Sequence, residues 1–208
     1  MSTERFEVIV VGAGPSGTAA ALTLARQGVE VLVIERGDFP GAKNIFGGIL
    51  YSNVLHELVP EFWQEAPIER HIVNRRWVTL DEDTQVALDL KSARFDKPPF
   101  NHTFTALRSK FDRWFAGKAE EAGAFIINET NVEELLFEEG RAVGVRTGRE
   151  EGDVLASCVI LAEGANALLA EAGGIPVAAG EVIFAVDDPG DLMYAIKEGT
   201  VELRVGGS

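Results

Sequence analysis

The stretch Phe6-Glu7-Val8-Ile9-Val10-Val11, followed at once by Gly12-Ala13-Gly14-Pro15-Ser16-Gly17, decides the fold of this chain. A short run of β-branched residues is typical of a strand that is buried on both faces. Residues 18–27 are rich in Ala and Leu and predict a helix that ends at Gly28. A second apolar strand is predicted at 31–35, which completes a strand–helix–strand unit.

The glycine pattern at 12–17 indicates a dinucleotide site, because it lies between a buried strand and a helix. Gly12 permits a tight turn, Gly14 lets the backbone approach a pyrophosphate, and Gly17 lets the helix pack close to the strand. Amides at the helix N-terminus then stabilise the phosphates. Glu35 ends the second strand, where it can accept hydrogen bonds from ribose hydroxyls and would repel a 2′-phosphate. The pattern favours FAD or NAD over NADP, and a glycine turn without a ligand is the alternative.

Composition narrows the possible functions. The chain has 208 residues, 46% of them hydrophobic, and its 33 acidic and 19 basic residues give a net charge of −14. This charge argues against a nucleic-acid partner and favours at most peripheral contact with a membrane. We find neither an apolar run of membrane-spanning length nor a leader pattern, so we expect a cytoplasmic protein. The single cysteine, Cys158, and three widely spaced histidines predict no disulfide and no metal site.

The remaining pattern predicts an α/β fold. A long glycine-containing loop covers 36–53, and alternating segments at 77–80 and 85–90 predict a hairpin around Asp81-Glu82-Asp83. Ser109 and Asp112 have the spacing of a capping box, which predicts a helix that ends near Gly123. We expect a mainly parallel sheet with helices on its faces and an antiparallel β-meander packed across one face. The sheet strands are predicted at 6–11, 31–35, 124–127 and 158–162, and the meander strands at 132–137, 142–146 and 153–156.

Seven segments of the chain carry a family resemblance. They are GAGPSG (12–17), LVIERG (32–37), PGAKN (40–44), GGILY (47–51), APIERH (66–71), RSKFDRW (108–114) and VILAEGAN (159–166). Through them, residues 6 to 172 resemble the FixC-type branch of the electron-transferring-flavoprotein quinone oxidoreductases, which is related to the geranylgeranyl reductases. The order of elements is similar to the FAD-binding half of glutathione-reductase-type flavoproteins. The resemblance therefore implies a Rossmann-like FAD-binding domain with an antiparallel β-meander.

The resemblance implies extended FAD that receives electrons from an electron-transfer flavoprotein and passes them to a quinone or a ferredoxin-like acceptor. By position, Arg108 would lie against the pyrophosphate or ribityl chain, and Val132 would contact adenine through its backbone. Lys43 and Asn44 would be the polar candidates near the ring, and Gly47 and Gly48 would line the flavin side. The full set of other implied cofactor-binding residues is Gly12, Ala13, Gly14, Pro15, Ser16, Gly17, Glu35, Arg36, Lys43, Asn44, Gly47, Gly48 and Gly164. No side chain is assigned as catalytic, because the flavin carries the redox chemistry. A surface role for Arg108 and plain loop roles for Lys43 and Asn44 are the alternatives.

The C-terminal part departs from this resemblance. Members of the family are about twice this length, so residues 1–174 are expected to form an FAD-binding domain that is incomplete relative to the family. Exposed apolar edges left in this way predict dimerisation or aggregation. Residues 175–208 are expected to form a β-rich extension, in which 178–207 resemble the first strands of a cyclic-nucleotide-binding β-roll. Two functional alternatives stay open: a non-catalytic nucleotide-binding or sensor protein, and an NADH-using flavin reductase or hydroxylase.

Overall fold

The structure is a computed structural model that describes residues 4–97, 103–150, 152–164 and 169. Its helices are α1 (Pro15–Arg26), α2 (Ser52–Leu58) and α3 (Arg108–Glu121), with a single 3-10 turn at Phe62–Gln64. Its strands are β1 (Arg5–Val11), β2 (Val31–Ile34), β3 (Gly47–Tyr51), β4 (Ile68–Ile72), β5 (Asn74–Leu80), β6 (Gln85–Lys91), β7 (Thr103–Leu107), β8 (Phe125–Ile127), β9 (Val132–Glu138), β10 (Arg141–Thr147) and β11 (Asp153–Leu161). The predicted domain boundary near 174 and the predicted C-terminal extension lie outside the described residues.

A six-stranded sheet in the order β8-β2-β1-β11-β10-β9 organises the chain. β1 lies at its centre and pairs in parallel with β2 on one side and β11 on the other. β8 extends the parallel part beyond β2. The predicted α/β fold with a mainly parallel sheet is confirmed, because every residue of β2 and the last four of β1 are buried, as strands covered on both faces must be.

The last described strand corrects the predicted meander. Residues 153–156 and 158–162 were predicted as two strands, but β11 is one continuous strand. Near its start it pairs antiparallel with β10, at Leu155 and Gly144, and it runs parallel to β1 over most of its length. No glycine or proline separates the two predicted strands, so nothing in the sequence ends the first one. A single strand therefore joins the meander to the parallel sheet.

Two buried clusters cover the two faces of this sheet. On one face, Val8 and Val10 of β1 lie in a cluster with α1 and α3, to which Leu22 and Phe111 contribute. On the other face, Ile9 lies in a cluster with Val132 and Val145 of the meander. Alternate residues of one strand thus lie in a cluster with helices and in a cluster with meander residues respectively. The meander strands β10 and β9 continue the same sheet beyond β11.

A second, three-stranded antiparallel sheet has the order β3-β7-β4. Residues 47–51, which were predicted to lie in a loop, form its edge strand β3. Gly47 pairs with Leu107 and Tyr51 with Thr103. Adjacent glycines disfavour a strand locally, so pairing with the distant β7 determines this structure. Because β7 leads directly into α3, this pairing sets β3 beside the start of that helix.

The predicted hairpin is confirmed as β5 and β6, with Trp77 paired to Leu88. Every residue of β6 is exposed, including Leu88, of which 66% is accessible. One face of the hairpin carries Trp77, Val86, Leu88 and Leu90, all exposed. On the opposite face, Arg76 of β5 and Asp89 of β6 form a bidentate salt bridge.

The predicted capping box of α3 is wrong. The helix begins at Arg108 with Leu107 as its N-cap, and no side chain caps it. The carboxylate of Asp112 bonds the guanidinium of Arg108 instead of a free amide of the first turn. Among the described residues, no helix has the length and apolar character needed to cross a membrane.

Candidate nucleotide site

Two of the three turn glycines are required by packing. Gly12 has φ of +101°, and a Cβ there would lie 2.6 Å from the carbonyl oxygen of Ala162. A Cβ on Gly17 would lie 1.9 Å from the carbonyl oxygen of Gly12. The absence of a side chain at these two positions lets α1 approach the ends of β1 and β11, as the sequence predicts.

Gly14 has a different environment. It is the N-cap of α1 with an extended backbone, φ −72° and ψ 178°, and Pro15 follows as the first residue of the helix. A Cβ on Gly14 would meet no atom within 4 Å, so the space beside it is open. No side chain caps the helix, and the first-turn amides, including those of the exposed Ser16 and the buried Gly17, have no intrahelical acceptor. An open position next to these amides fits the pyrophosphate of a dinucleotide.

The Glu35 carboxylate is held beside this turn by two backbone amides. The amide of Ala13 donates to Oε2 at 2.9 Å, and that of Gly37 donates to Oε1 at 2.7 Å. Glu35 is half-buried and directly follows β2, while Arg36 beside it is exposed. A carboxylate offers about four acceptor positions, so two remain for the hydroxyls of a ribose. The residue predicted to recognise ribose therefore lies next to the turn predicted to hold the phosphates.

Val132 and Gly164 are reached through two different elements, the start of β9 and the end of β11. Val132 is buried at the start of β9, and Thr130 before it donates its amide to the carbonyl oxygen of Glu35 at 3.0 Å. Gly164 is exposed, has φ of +82° and follows β11. Since the carboxyl ends of parallel strands share one edge, the ends of β1, β2 and β11 bring the turn, Glu35 and Gly164 together.

A second group of predicted residues gathers at the start of α3. Arg108 Nε and Nη2 each donate to an oxygen of Asp112 at 2.8 Å, and Asn44 Nδ2 donates to Asp112 Oδ2 at 3.2 Å. The hydrogen bonds that Arg108 donates to Asp112 raise the pKa of Arg108 above its ordinary value. Lys43 is exposed and makes no hydrogen bond or ion pair within the described part of the chain. The structure thus joins Arg108 and Asn44 through Asp112, and Lys43 is not bonded to any of the three.

Asp112 is the residue that sequence reasoning missed at this site. It was interpreted as part of a cap, although its side chain is fully buried. The signal was the spacing of Arg108 and Asp112, because residues four apart on a helix lie on the same face.

Gly47 and Gly48 line an open groove of about 390 Å³. Most of its other lining residues are apolar, among them Phe46 and Ile49, which are 70% and 56% exposed. Glu69 and Thr105 add polar side chains. A mostly apolar groove with few polar groups is typical of a site for a planar organic ring.

The chain is similar to known flavoproteins over most of its length. The model of the FAD dependent oxidoreductase family matches residues 7–204. Protein FixC of Bradyrhizobium diazoefficiens is 44% identical over 207 residues, which are 98% of this chain and 46% of that protein. Protein FixC of Azotobacter vinelandii is 46% identical over 196 residues, 94% of this chain and 43% of that protein. The chain therefore spans less than half the length of these relatives.

Solved structures share the fold. A geranylgeranyl bacteriochlorophyll reductase-like protein from Thermoplasma acidophilum superposes with a TM-score of 0.70 at 26% identity, covering 84% of this chain and 43% of that one. The myxobacterial chondrochloren halogenase CndH, a variant of FAD-dependent halogenases, gives a TM-score of 0.66 at 26% identity, covering 81% of this chain and 39% of that one. In both cases the likeness extends over about four fifths of this chain.

Proposed function

Because the chain belongs to the family of FAD-dependent oxidoreductases, whose cofactor is FAD, we propose that it is the FAD-binding portion of an electron-transferring-flavoprotein dehydrogenase. In this proposal electrons arrive from an electron-transfer flavoprotein and leave to a quinone or a ferredoxin-like acceptor. FAD, when bound, supplies the redox chemistry, and the protein binds and orients it.

One observation carries the proposed placement of FAD: the Glu35 carboxylate is fixed by the amides of Ala13 and Gly37 beside the open N-terminus of α1. Residues 12–17 and Gly164 would hold the pyrophosphate end, where the unpaired amides offer donors and the helix end offers positive charge. Glu35 would bind the adenosine ribose. Arg36 and the backbone of Val132 would lie on the adenine side.

The second group of residues would hold the other half of the cofactor. Arg108 would place a cation against the pyrophosphate or ribityl chain, and Asn44 and Lys43 would lie near the ring. The groove at Gly47 and Gly48 would receive the flavin, because glycine lets a planar ring approach the backbone closely.

The exposed apolar residues in and beside this groove support a protein as the electron donor. Ile45 is fully exposed, and Phe46, Ile49 and Tyr51 are each more than half exposed. Apolar and aromatic side chains are enriched at the centres of protein interfaces. The net charge of −14 favours a donor surface that presents positive charge.

The first test is the visible absorption spectrum of the protein purified without added cofactor, repeated after incubation with FAD and gel filtration. We expect a flavin band that co-elutes with the protein in the second sample. Absence of the band in both samples would contradict binding of FAD by this chain alone.

The electron donor is tested by stopped-flow spectroscopy of the FAD-loaded protein. We expect bleaching of the flavin band by reduced electron-transfer flavoprotein and no bleaching by NADH on the same timescale. Reduction by NADH alone would favour the flavin reductase or hydroxylase alternative. Thermal stabilisation by cyclic AMP without FAD binding would favour the sensor alternative, since a ligand that binds only the folded state stabilises it.

The proposal extends to location and domain organisation. We infer a cytoplasmic protein with at most peripheral contact with a membrane, on the basis of its acidic composition. We further propose an FAD-binding domain at 1–174 and a separate extension at 175–208. Limited proteolysis of the full chain tests the division, and a first cleavage between 165 and 180 is expected.

A further inference from the structure

Asp112 is a buried carboxylate with a specific set of partners. Its side chain has no accessible surface, whereas that of Arg108 is 33% exposed. A buried charge is costly unless it is paired and hydrogen-bonded. Asp112 accepts three hydrogen bonds, two from Arg108 and one from Asn44, so the surrounding chain compensates its charge.

The two bonds from Arg108 fix the plane of its guanidinium group. Nε donates to one carboxylate oxygen and Nη2 to the other, each at 2.8 Å. This bidentate geometry fixes the orientation of an arginine side chain more strongly than a single hydrogen bond does. Nη1 makes no hydrogen bond to any described residue. The amide of Arg108 also donates to the carbonyl oxygen of Phe46, at 3.2 Å. Arg108 is therefore held at its backbone and at one edge of its side chain, with the other edge available.

The same carboxylate anchors the loop before β3. Gly41 has φ of +87°, and a Cβ there would lie 2.8 Å from the Cβ of Asp112. Asn44 lies three residues further on and donates its side-chain amide to Asp112 Oδ2. The loop segment 41–44 thus packs directly on Asp112.

We propose that Asp112 is a positioning residue of the cofactor site, which holds the Arg108 guanidinium so that its Nη1 reaches an oxygen of the FAD pyrophosphate or ribityl chain, and holds Asn44 and its loop beside it. The inference rests on the proposed placement of FAD. Asp112 itself is buried and would not contact the cofactor. Its effect on binding passes through Arg108 and Asn44.

The test measures the Kd of FAD by fluorescence quenching on the full chain, for the wild type, Asp112→Asn, Arg108→Met and the double variant. Asparagine keeps the size of the side chain but replaces one acceptor oxygen with a donor, so the bidentate geometry is lost. We expect Asp112→Asn to raise the Kd about tenfold. Because part of the effect of Asp112 passes through Arg108, the double variant is expected to weaken FAD binding by less than the product of the two single effects.

A matched control is Asp89→Asn. Asp89 accepts the same two bonds from Arg76, at 2.9 and 2.8 Å, in the hairpin and outside the proposed site. We expect its Kd for FAD to equal that of the wild type. A weakening as large as that of Asp112→Asn would show that loss of any such ion pair impairs binding, and it would overturn the inference.

The inference is also overturned if Asp112→Asn binds FAD as the wild type does, or if the two substitutions weaken binding additively. If Asp112→Asn does not fold, Arg108→Lys answers the same question, since lysine keeps the charge but cannot donate in the bidentate geometry. Wild-type affinity in Arg108→Lys then overturns it. A wild-type chain that binds no FAD overturns the proposed cofactor placement together with this inference, whereas binding that is insensitive to Asp112 overturns the inference alone.

Discussion

At the scale of single residues, the three glycines of the first turn have separable roles. A Cβ at Gly12 or Gly17 would lie too close to backbone atoms to be accommodated. A Cβ at Gly14 would meet open space. The sequence pattern assigns all three to one motif. The structure divides them into two that packing requires and one that faces open space, where we propose that the phosphates bind.

Gly12→Ala and Gly17→Ala should each lower the free energy of unfolding by about 1–3 kcal/mol or more, because of a strained backbone at Gly12 and a clash at Gly17. Gly14→Ala should change it by less than about 0.5 kcal/mol. Urea denaturation of the apo-protein, followed by circular dichroism, measures all three. Equal losses at the three positions would contradict the assignment.

Gly14→Asp is expected to leave the fold intact and to weaken FAD binding by about tenfold or more, because the added carboxylate would lie where the phosphates are proposed to bind. Gel filtration with FAD and the apo-protein melting temperature give the two readouts. Gly14→Asn adds a side chain of the same size without charge and is the control. Undiminished retention of FAD by Gly14→Asp would argue against a phosphate position at this turn.

The residues of the candidate site differ in how far the sequence alone predicts them. The 12–17 turn and Glu35 could be predicted because their spacing is local and tied to two predictable strands. The role of Asp112 was not predicted, because its spacing from Ser109 indicates a helix cap while its spacing from Arg108 indicates an ion pair. The choice between them depends on Asn44 and Gly41, which are distant in sequence and reach Asp112 only in the folded chain.

At the scale of elements, the strands with strong apolar runs were predicted well and those defined by their partners were not. β1 and β2 follow from their composition. β3 contains two glycines and forms because β7 pairs with it, and β11 continues through a position where two separate strands were expected. A strand that is buried on both faces can be recognised by its run of apolar residues. A strand that forms by pairing with a distant segment leaves little such pattern in the sequence.

The Arg76–Asp89 ion pair of the hairpin β5–β6 makes a contribution to stability that depends on pH. The hydrogen bond from Arg76 lowers the pKa of Asp89 below its ordinary value of 3.8. A carboxyl group whose pKa is lowered by folding contributes stability above its unfolded pKa and loses it as the pH falls through the folded value. The contribution of this pair should therefore be complete at neutral pH and disappear only in acid below pH 3.8.

An NMR titration of the Asp89 carboxyl group measures this effect. In Arg76→Gln the midpoint should move up toward 3.8, because the donor of the charged hydrogen bond is gone. Asp153, whose pKa is lowered mainly by a hydrogen bond from Arg146, is the internal control and should keep its midpoint. An unchanged Asp89 midpoint would show that the ion pair does not persist in solution.

At the scale of the whole molecule, the described part of the chain presents apolar surface beyond what its own residues cover. Trp77, Val86 and Leu88 lie on one face of the hairpin and are 47%, 68% and 66% exposed. Contiguous exposed apolar residues mark a surface that associates with another one. Because these side chains lie together on one exposed face, we expect isolated copies of the chain to associate through it.

Leu88→Lys should therefore shift the isolated chain toward the monomer. Light scattering coupled to gel filtration, at several protein concentrations, measures the mass. Leu80→Lys is the matched control, because Leu80 is 72% exposed but lies on the opposite face of the hairpin. A wild-type chain that is monomeric at all concentrations would contradict the expected association.

The pairing of β1 with β11 determines when the chain can fold during synthesis. Arg5 and Leu155 pair in the sheet but lie near opposite ends of the described sequence. During synthesis Arg5 therefore leaves the ribosome long before Leu155. A nascent chain that has released only β1 to β10 therefore carries a central, apolar strand with one edge unsatisfied. That edge can pair with other chains until β11 emerges, so we expect the yield of soluble protein to depend on translation speed and on chaperones.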